Sequence, residues 1–247
     1  MRILQISDTH NGITKLKTIK EVFKQAANES PDLLMHCGDY SGGQTGHKHV
    51  RLTANLMRDY FPNTPIVTVL GNHDYWAGPS PAPVDFAYNY GRIKEIFESH
   101  KIHFMDEAGI YKSDDIAIIG CSGWYSSLNP PTNDRLYLPS HVEANTNRWM
   151  ERKARSIFLK QLDQLDDIYG EYITTAFISH FPVIDAGNER KGAFEEFCWD
   201  ASIGALMQSD YACKYFFCGH AHQLHTGPLR YESGSDYYNP KYQLVEI

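Results

Sequence analysis

The sequence predicts an α/β fold built on parallel strands, and two observations support that prediction. Short apolar runs with the length of strands alternate with segments in which apolar residues recur at helical spacing. Several of the apolar runs end directly at an Asp, Asn or His. In parallel sheets with helical crossovers, ligands gather at the carboxyl ends of the strands. The pattern that predicts the fold therefore also predicts a functional site.

The first half of the chain shows the clearest alternation. The predicted elements are strands at residues 2–7, 32–36 and 65–70 and helices at residues 14–27 and 50–60. The first strand ends at Asp8, the second runs into Gly38 and Asp39, and the third runs into Gly71 and Asn72. Glycine at these two strand ends is typical of a turn or of a close approach of the backbone to a ligand.

The second half is less regular. It contains predicted helices at residues 90–99 and 143–166, predicted strands at residues 116–119, 172–179 and 215–218, and an edge strand at residues 242–247. Phe158, Leu162 and Leu165 share one face of the longer helix. The turn-rich stretch at residues 120–140 is long for a connection, so we expect it to form a wall or lid over the substrate.

Length and composition limit the possible classes of protein. A chain of 247 residues with 42% hydrophobic and 21% charged residues predicts one globular domain over residues 1–247. The net charge of -7 and the lack of a dense Lys/Arg stripe argue against long nucleic acid as a partner. No apolar stretch approaches the roughly 20 residues needed to cross a bilayer, and no secretory signal opens the chain, so a cytoplasmic protein is expected. The five cysteines include no C-x-x-C pair, which argues against a thiolate zinc site.

Five segments place potential metal ligands immediately after an apolar strand. These residues are Asp8 and His10, Asp39, Asn72, His180, and His220 and His222. All offer oxygen or imidazole donors and none a thiolate, which suits Mn²⁺, Fe, Zn²⁺, Co²⁺ or Ni²⁺. At the end of a strand, two residues spaced by one can both turn toward a single centre. A single His at a strand end is usually only a polar loop residue, so the prediction depends on all five segments occurring together.

These segments resemble the five motifs of the calcineurin-like metallophosphoesterase family. The motifs occur in the family order, as Asp8-Thr9-His10, Gly38-Asp39, Gly71-Asn72-His73-Asp74, His180 and Gly219-His220-Ala221-His222. They cover almost the whole chain, and a complete ordered set is highly specific. The resemblance implies a four-layer α/β/β/α sandwich, with two central mixed β-sheets flanked by helices.

The resemblance also implies a role for each motif residue. Two transition-metal ions are expected, one held by Asp8, His10 and His222 and the other by Asn72, His180 and His220. Asp39 is expected to bridge them. Such a pair binds phosphate oxygens and lowers the pKa of a bridging water, which supplies hydroxide near neutral pH.

Two further residues have roles outside the metal ligands in this family. The resemblance implies that His73 lies beside the leaving group, where an imidazolium can stabilise charge or donate a proton. Asp74 is expected to orient it.

Trp124 and Tyr125 lie in the turn-rich stretch after a predicted strand. An aromatic side chain there could stack on a base or line a substrate pocket. Packing in the core is an equally good interpretation of both residues.

Three classes of function remain open at this stage. The first is an enzyme acting on phosphomonoesters or phosphodiesters, including nucleotides or cyclic nucleotides. The others are a nuclease of the same superfamily and a binding scaffold without catalysis. Protein Ser/Thr phosphatases of the superfamily carry an Arg soon after Gly-Asp and end the third motif in Glu, whereas this chain has Tyr40-Ser41 and Asp74. The sequence is therefore more similar to the phosphodiesterase and small-molecule branches, and it leaves the natural substrate, the native metal and the oligomeric state open.

Overall fold

A computed structural model gives the fold of most of the chain. The described residues are 1–42, 47–75, 86–113, 116–125, 140–168, 174–184, 199–222, 224–227, 230–233, 235 and 238–247. The strands are β1 (Arg2–Ile6), β2 (Leu33–Cys37), β3 (Ile66–Val69), β4 (His103–Phe104), β5 (Tyr111–Lys112), β6 (Ile116–Gly120), β7 (Thr174–Ile178), β8 (Tyr215–Phe217), β9 (Leu224–Thr226), β10 (Arg230–Ser233) and β11 (Tyr242–Glu246). The helices are α1 (Leu16–Ala27), α2 (His47–Tyr60), α3 (Asn72–Tyr75), α4 (Phe86–Ser99), α5 (Met105–Ala108), α6 (Ser140–Asp166) and α7 (Ala201–Ser209).

The strands form two mixed sheets. The first has the order β11-β1-β2-β3-β4, in which β1 to β4 run parallel and β11 pairs antiparallel with β1. The second has the order β5-β6-β7-β8-β10-β9, with β6, β7, β8 and β10 parallel and one antiparallel strand at each edge. The α/β fold with two mixed sheets flanked by helices is thus confirmed.

The two sheets pack face to face through a buried apolar cluster. Ile3, Met35 and Val67 of the first sheet share one buried cluster with Ile118 and Phe217 of the second. Successive side chains of a strand point to opposite faces. Leu4, which follows Ile3, therefore belongs to a second buried cluster on the outer face of the sheet. Burial on both faces explains why these strands read as continuous apolar runs.

Helices cover the outer faces of the sheets. Ile19 and Phe23 of α1 are buried against the first sheet. On α6, the predicted apolar face is confirmed, because Phe158, Leu162 and Leu165 are all buried in the same outer cluster. None of the helices in the described ranges is long and apolar enough to cross a membrane.

A buried ion pair lies in the second sheet. Arg230 and Glu232 on β10 are 2% and 0% exposed, and their side chains approach to 2.9 Å. The guanidinium also contacts the sulfur of Cys218 at 3.3 Å. A charge buried this deeply is strongly destabilising if its partner is removed. The stability of the second sheet therefore depends on both members of the pair.

The long predicted elements agree with the structure to within two residues at their ends, apart from three helices. α2 and α6 begin three residues earlier than predicted, and α4 begins four residues earlier. The predicted edge strand is β11, at the border of the first sheet. The elements not predicted from the sequence are α3, α5, α7, β4, β5, β9 and β10. Most of the predicted lid lies outside the described residues, since residues 126–139 are not among them.

Candidate metal centre

The predicted ligands lie at the carboxyl ends of parallel strands from both sheets. Asp8 and His10 follow β1, Asp39 follows β2, and Asn72 opens the short helix after β3. From the second sheet, His180 follows β7, and the pair His220 and His222 follows β8. Since the sheets face each other, these strand ends meet at one seam, as the strand-end rule predicts.

One group of side chains surrounds a first potential metal position. The Nε2 atom of His222 lies 3.4 Å from Oδ1 of Asp8 and 3.4 Å from Nε2 of His10. These three residues each offer a ligand atom within 4.8 Å of the others. Asp8 and His10 are fully buried, while the side chain of His222 is 20% exposed. This position therefore reaches the protein surface on the His222 side.

A second group lies beside the first. His180 Nε2 is 3.1 Å from the amide oxygen of Asn72, and its ring lies 5.0 Å from the ring of His220 between centroids. The Nδ1 atom of His180 is 2.7 Å from the carbonyl oxygen of Cys37. Because a carbonyl only accepts hydrogen bonds, His180 carries its proton on Nδ1 and presents a lone pair on Nε2.

Asp39 lies between the two groups. Its Oδ2 atom is 3.8 Å from Nε2 of His10 and 3.5 Å from Nε2 of His180. Its Oδ1 atom accepts a hydrogen bond of 2.9 Å from the backbone N–H of His73. One carboxylate oxygen thus faces an imidazole from each group, which is the geometry of a bridging ligand.

The backbone at this seam adopts an uncommon conformation. Asp8, His10, Asp39, His220 and His222 all have positive φ angles, between 41° and 71°. Left-handed backbone costs roughly 1–2 kcal/mol for a residue with a side chain, although Asp and His tolerate it better than most. Strain of this kind clusters at functional sites. The left-handed turn also explains how residues spaced by one can point to the same centre.

The motif glycines leave room for the ligands themselves. A Cβ atom on Gly71 would lie 2.0 Å from Oδ1 of Asp39, and one on Gly38 would lie 2.7 Å from Nδ1 of His180. A Cβ atom on Gly219 would lie 2.8 Å from Oδ2 of Asp8. Gly38 and Gly71 therefore act as close-approach glycines at the ligand side chains, which is a more specific role than a turn.

Burial and mutual contact set the charges of the ligands. Burial lowers the pKa of His10 to about 4 and also lowers the pKa of His180 and His220. Burial alone would raise the pKa of Asp8, but His222 and the other imidazoles hold it below its usual range. Near pH 7 the centre consequently offers carboxylates and neutral imidazoles, the protonation states that bind metal ions.

His73 lies at the rim of the centre. Its ring packs edge-on against the ring of His10, with 4.9 Å between centroids. A ring nitrogen also comes within 4.8 Å of ligand atoms of His10 and Asp39. The geometry therefore places His73 close enough to act as a ligand as well as a proton donor.

Asp74 is buried below the same loop. Its carboxylate accepts hydrogen bonds from the backbone N–H groups of Ser41, at 3.0 Å, and Gly71, at 2.9 Å. It thereby joins the loop after β2 to the loop after β3. Burial raises the pKa of Asp74 to about 7. Ser41, which Asp74 binds, also donates from its hydroxyl to the carbonyl of His73, at 3.3 Å.

Trp124 and Tyr125 occupy different surroundings. The Trp124 side chain is fully buried, and its indole N–H donates a 2.9 Å hydrogen bond to Asn147 of α6. The ring of Tyr125 packs against those of Phe181 and His220, at 4.6 and 5.4 Å between centroids. Its hydroxyl has no hydrogen-bond partner among the residues that the structure describes. Tyr125 is thus the member of the pair that touches the metal centre.

The sequence itself matches a known family. The sequence model of the calcineurin-like phosphoesterase family matches residues 1–224, which include all five motifs. The chain belongs to the calcineurin-like phosphoesterase family. Its Asp/His groups are accordingly candidate metal ligands of a metallophosphoesterase. A search among curated proteins found no match.

Solved structures share the fold of this calcineurin-like phosphoesterase. The phosphopantetheinyl hydrolase of Mycobacterium tuberculosis aligns with a TM-score of 0.66 and 16% identity, over 91% of this chain and 84% of that one. The protein TT1561 of Thermus thermophilus aligns with a TM-score of 0.53 and 14% identity, over 88% and 80%. GAP50, the anchor in the inner membrane complex of Plasmodium, aligns with a TM-score of 0.51 and 16% identity, over 95% and 72%. At these identities the likeness shows the fold alone.

Several residues that support this metallophosphoesterase centre were not found from the sequence. The carbonyl of Cys37 fixes the tautomer of His180, and Ser122 contacts two of the ligand-bearing loops. Cys37 lies two residues before Asp39 in the chain. Because every residue has a backbone carbonyl, the residue type at position 37 could not reveal this contact. Nothing in the sequence around Ser122 separates it from an ordinary turn residue.

Proposed function

We propose that this protein is a dinuclear metal-dependent phosphoesterase that hydrolyses small phosphomonoesters or phosphodiesters. The observation that carries the proposal is Asp39, whose single Oδ2 atom faces His10 on one side and His180 on the other. A shared carboxylate is what allows two cations to sit roughly 3.5–4 Å apart. The remaining donors divide into two groups around it.

In this mechanism the protein contributes positioning and charge. Asp8, His10 and His222 would hold one ion, and Asn72, His180 and His220 would hold the other, with the Asp39 carboxylate shared by the two groups. When bound, the ions supply charge for the phosphate oxygens and hydroxide near neutral pH.

Three residues outside the ligand sets have separate parts in the proposal. His73, at the rim, donates a proton to the leaving oxygen from its imidazolium form. Burial lowers the pKa of His73 below its usual range, so the negative charge of a bound phosphate would have to stabilise that form. Asp74 holds the turn that carries His73 through its two backbone hydrogen bonds. Tyr125, beside His220, supplies a buried hydroxyl and ring face to the substrate side of the centre.

The binding scaffold is a second candidate, since GAP50 is described as an anchor and shares the fold. The complete donor set in this chain supports the enzyme instead. A buried cluster of neutral imidazoles and carboxylates on strained backbone destabilises a protein unless a ligand occupies it.

The first experiment counts metal ions. Protein stripped with a chelator and reconstituted with Mn²⁺ is analysed for bound metal after removal of free ion. We expect a value approaching two ions per chain, and a value that never exceeds one would reject the dinuclear centre.

The second experiment identifies the ester class. The reconstituted protein is assayed against monoesters, diesters, cyclic nucleotides and pyrophosphates, and against a phosphopantetheine ester because one fold neighbour is a phosphopantetheinyl hydrolase. We expect turnover of at least one class that depends on added metal. Full metal loading without turnover of any ester would favour the scaffold.

A further inference from the structure

Ser122 follows β6 and uses each of its polar groups to join a different part of the molecule. Its backbone N–H donates to Oδ1 of Asp106 at 2.7 Å. Its hydroxyl oxygen accepts a 2.8 Å hydrogen bond from the backbone N–H of Leu70, and its carbonyl accepts one of 3.2 Å from the N–H of His180. The residue is only 2% exposed. Three elements are therefore linked through one small buried side chain and its own peptide groups.

The two loops that Ser122 joins carry ligands of the same metal position. Leu70 ends the segment that leads into Asn72, and His180 is itself a ligand. These two loops come from different sheets, the first after β3 and the second after β7. The contact between Asn72 and His180, 3.1 Å between Oδ1 and Nε2, therefore spans the seam between the sheets. The hydrogen bonds of Ser122 cross the same seam.

Two ligands of the first position, Asp8 and His10, are held by other contacts, while the third, His222, follows β8 of the second sheet. The N–H of Asp8 donates to the carbonyl of Gly38 at 3.0 Å, and the N–H of His10 donates to the carbonyl of Asp39 at 3.0 Å. Both contacts lie within the first sheet and its loops. A change at Ser122 should consequently disturb the second position far more than the first.

Asp106, on α5, holds Ser122 in place. Its carboxylate is partly buried, and burial raises the pKa of Asp106 to about 6. The hydrogen bond it accepts from Ser122 needs an oxygen acceptor and not a negative charge. An Asn at this position would keep the acceptor, whereas an Ala would remove it.

We propose that Ser122, held by Asp106, is a positioning residue that fixes Asn72 and His180 relative to each other and so sets the affinity of the second metal position. The inference rests on the dinuclear centre proposed above. Removal of a group that orients a metal ligand typically costs about 10 to 100-fold in metal affinity. The physical reason is that the ligand loop must then be ordered by the metal itself.

The test is a titration of chelator-stripped protein with Mn²⁺ alone, followed by isothermal calorimetry. In Ser122→Ala we expect the second equivalent to bind about 10 to 100-fold more weakly while the first keeps its wild-type affinity. Ser99→Ala is the matched control, because that hydroxyl donates to Ile96 within α4, away from the centre. It should leave both equivalents unchanged.

The Asp106 variants separate positioning from a general loss of structure. Asp106→Asn should bind both equivalents like the wild type, and Asp106→Ala should behave like Ser122→Ala. Thermal unfolding of the metal-free proteins is measured in parallel, and if Ser122→Ala does not fold, the two Asp106 variants decide the result.

Three outcomes would overturn the inference. Wild-type affinity for both equivalents in Ser122→Ala and Asp106→Ala would show that the loops carrying Asn72 and His180 keep their relative position without Ser122. Equal weakening of both equivalents would show a structural effect without preference for the second position. If the wild-type protein binds no more than one ion, the proposed dinuclear centre fails first, and this result is visible without any variant.

Discussion

Gly71→Ala should disable the metal centre although it adds a single methyl group. Gly71 does not have the positive φ that disfavours side chains, so the backbone itself accepts alanine. The new Cβ would lie 2.0 Å from Oδ1 and 2.5 Å from Cγ of Asp39, and 2.6 Å from its backbone nitrogen. The clash therefore falls on the one carboxylate that faces both ligand groups.

The size of the effect follows from these distances. Ordinary van der Waals contact begins near 3.4 Å, so the Asp39 carboxylate must move by roughly 1 Å or more. A misplacement of about 1 Å at a catalytic group can cost about 100-fold in rate, or about 3 kcal/mol of barrier. Overpacking a buried site adds about 1–3 kcal/mol of lost stability.

The assay combines metal content, kcat and thermal unfolding of the same preparations. Gly91→Ala is the matched control, since a Cβ at Gly91, inside helix α4, meets nothing within 4 Å. That variant should keep both metals and gain about 0.5–1 kcal/mol of stability, because alanine restricts the unfolded chain. Gly71→Ala should lose metal and activity together.

The reasoning is refuted if Gly71→Ala binds two ions with wild-type affinity and retains wild-type kcat. Asp39 would then have room to move without consequence, and the close approach would be incidental. Loss of stability without loss of metal would place the clash on the backbone of Asp39 and leave its carboxylate unaffected.

Three other changes test the remaining assignments. His73→Ala should keep both metals, while kcat for an alkyl ester should fall about 10² to 10⁴-fold. The loss should be smaller for a nitrophenyl ester, because its leaving group needs little protonation. Loss of a metal ion in this variant would instead make His73 a ligand. Asp39→Asn should weaken both ions in a metal titration, whereas His222→Ala should weaken mainly one, and equal mild losses in the two variants would contradict the bridge. Glu232→Ala should lower the free energy of unfolding in urea by about 3–5 kcal/mol, because it leaves the buried Arg230 guanidinium without its carboxylate. Glu246→Ala is the control, because its side chain is 80% exposed, and should lower the free energy of unfolding by at most about 1 kcal/mol.

The long elements of the fold follow from sequence patterns because their causes are local. Strands β1, β2 and β3 are buried on both faces and read as mainly apolar runs, and α1 and α6 show one apolar face. Short elements such as β4, with two residues, carry too few side chains to show any period. Their existence depends on the neighbouring strand, here β3, that offers hydrogen-bonding groups.

The candidate ligands can be proposed from the sequence, but their arrangement cannot. Each ligand comes directly after an apolar run, so residue type and position in the chain point to it. The distances between His222 and Asp8, or between His180 and Asn72, join residues more than 100 positions apart. Such contacts exist only because two sheets pack face to face and bring their strand ends together.

The sequence by itself determined the fold class, the family motifs and the chemical nature of the donors, because these depend on residue type and on local order. Only the tertiary structure decided that Asp39 faces both groups, that Asp74 binds backbone, and that Ser122 joins two ligand loops. These roles depend on backbone atoms and on packing between sheets. A backbone N–H or carbonyl is the same in every residue, so its part in the site becomes visible only once the chain has folded.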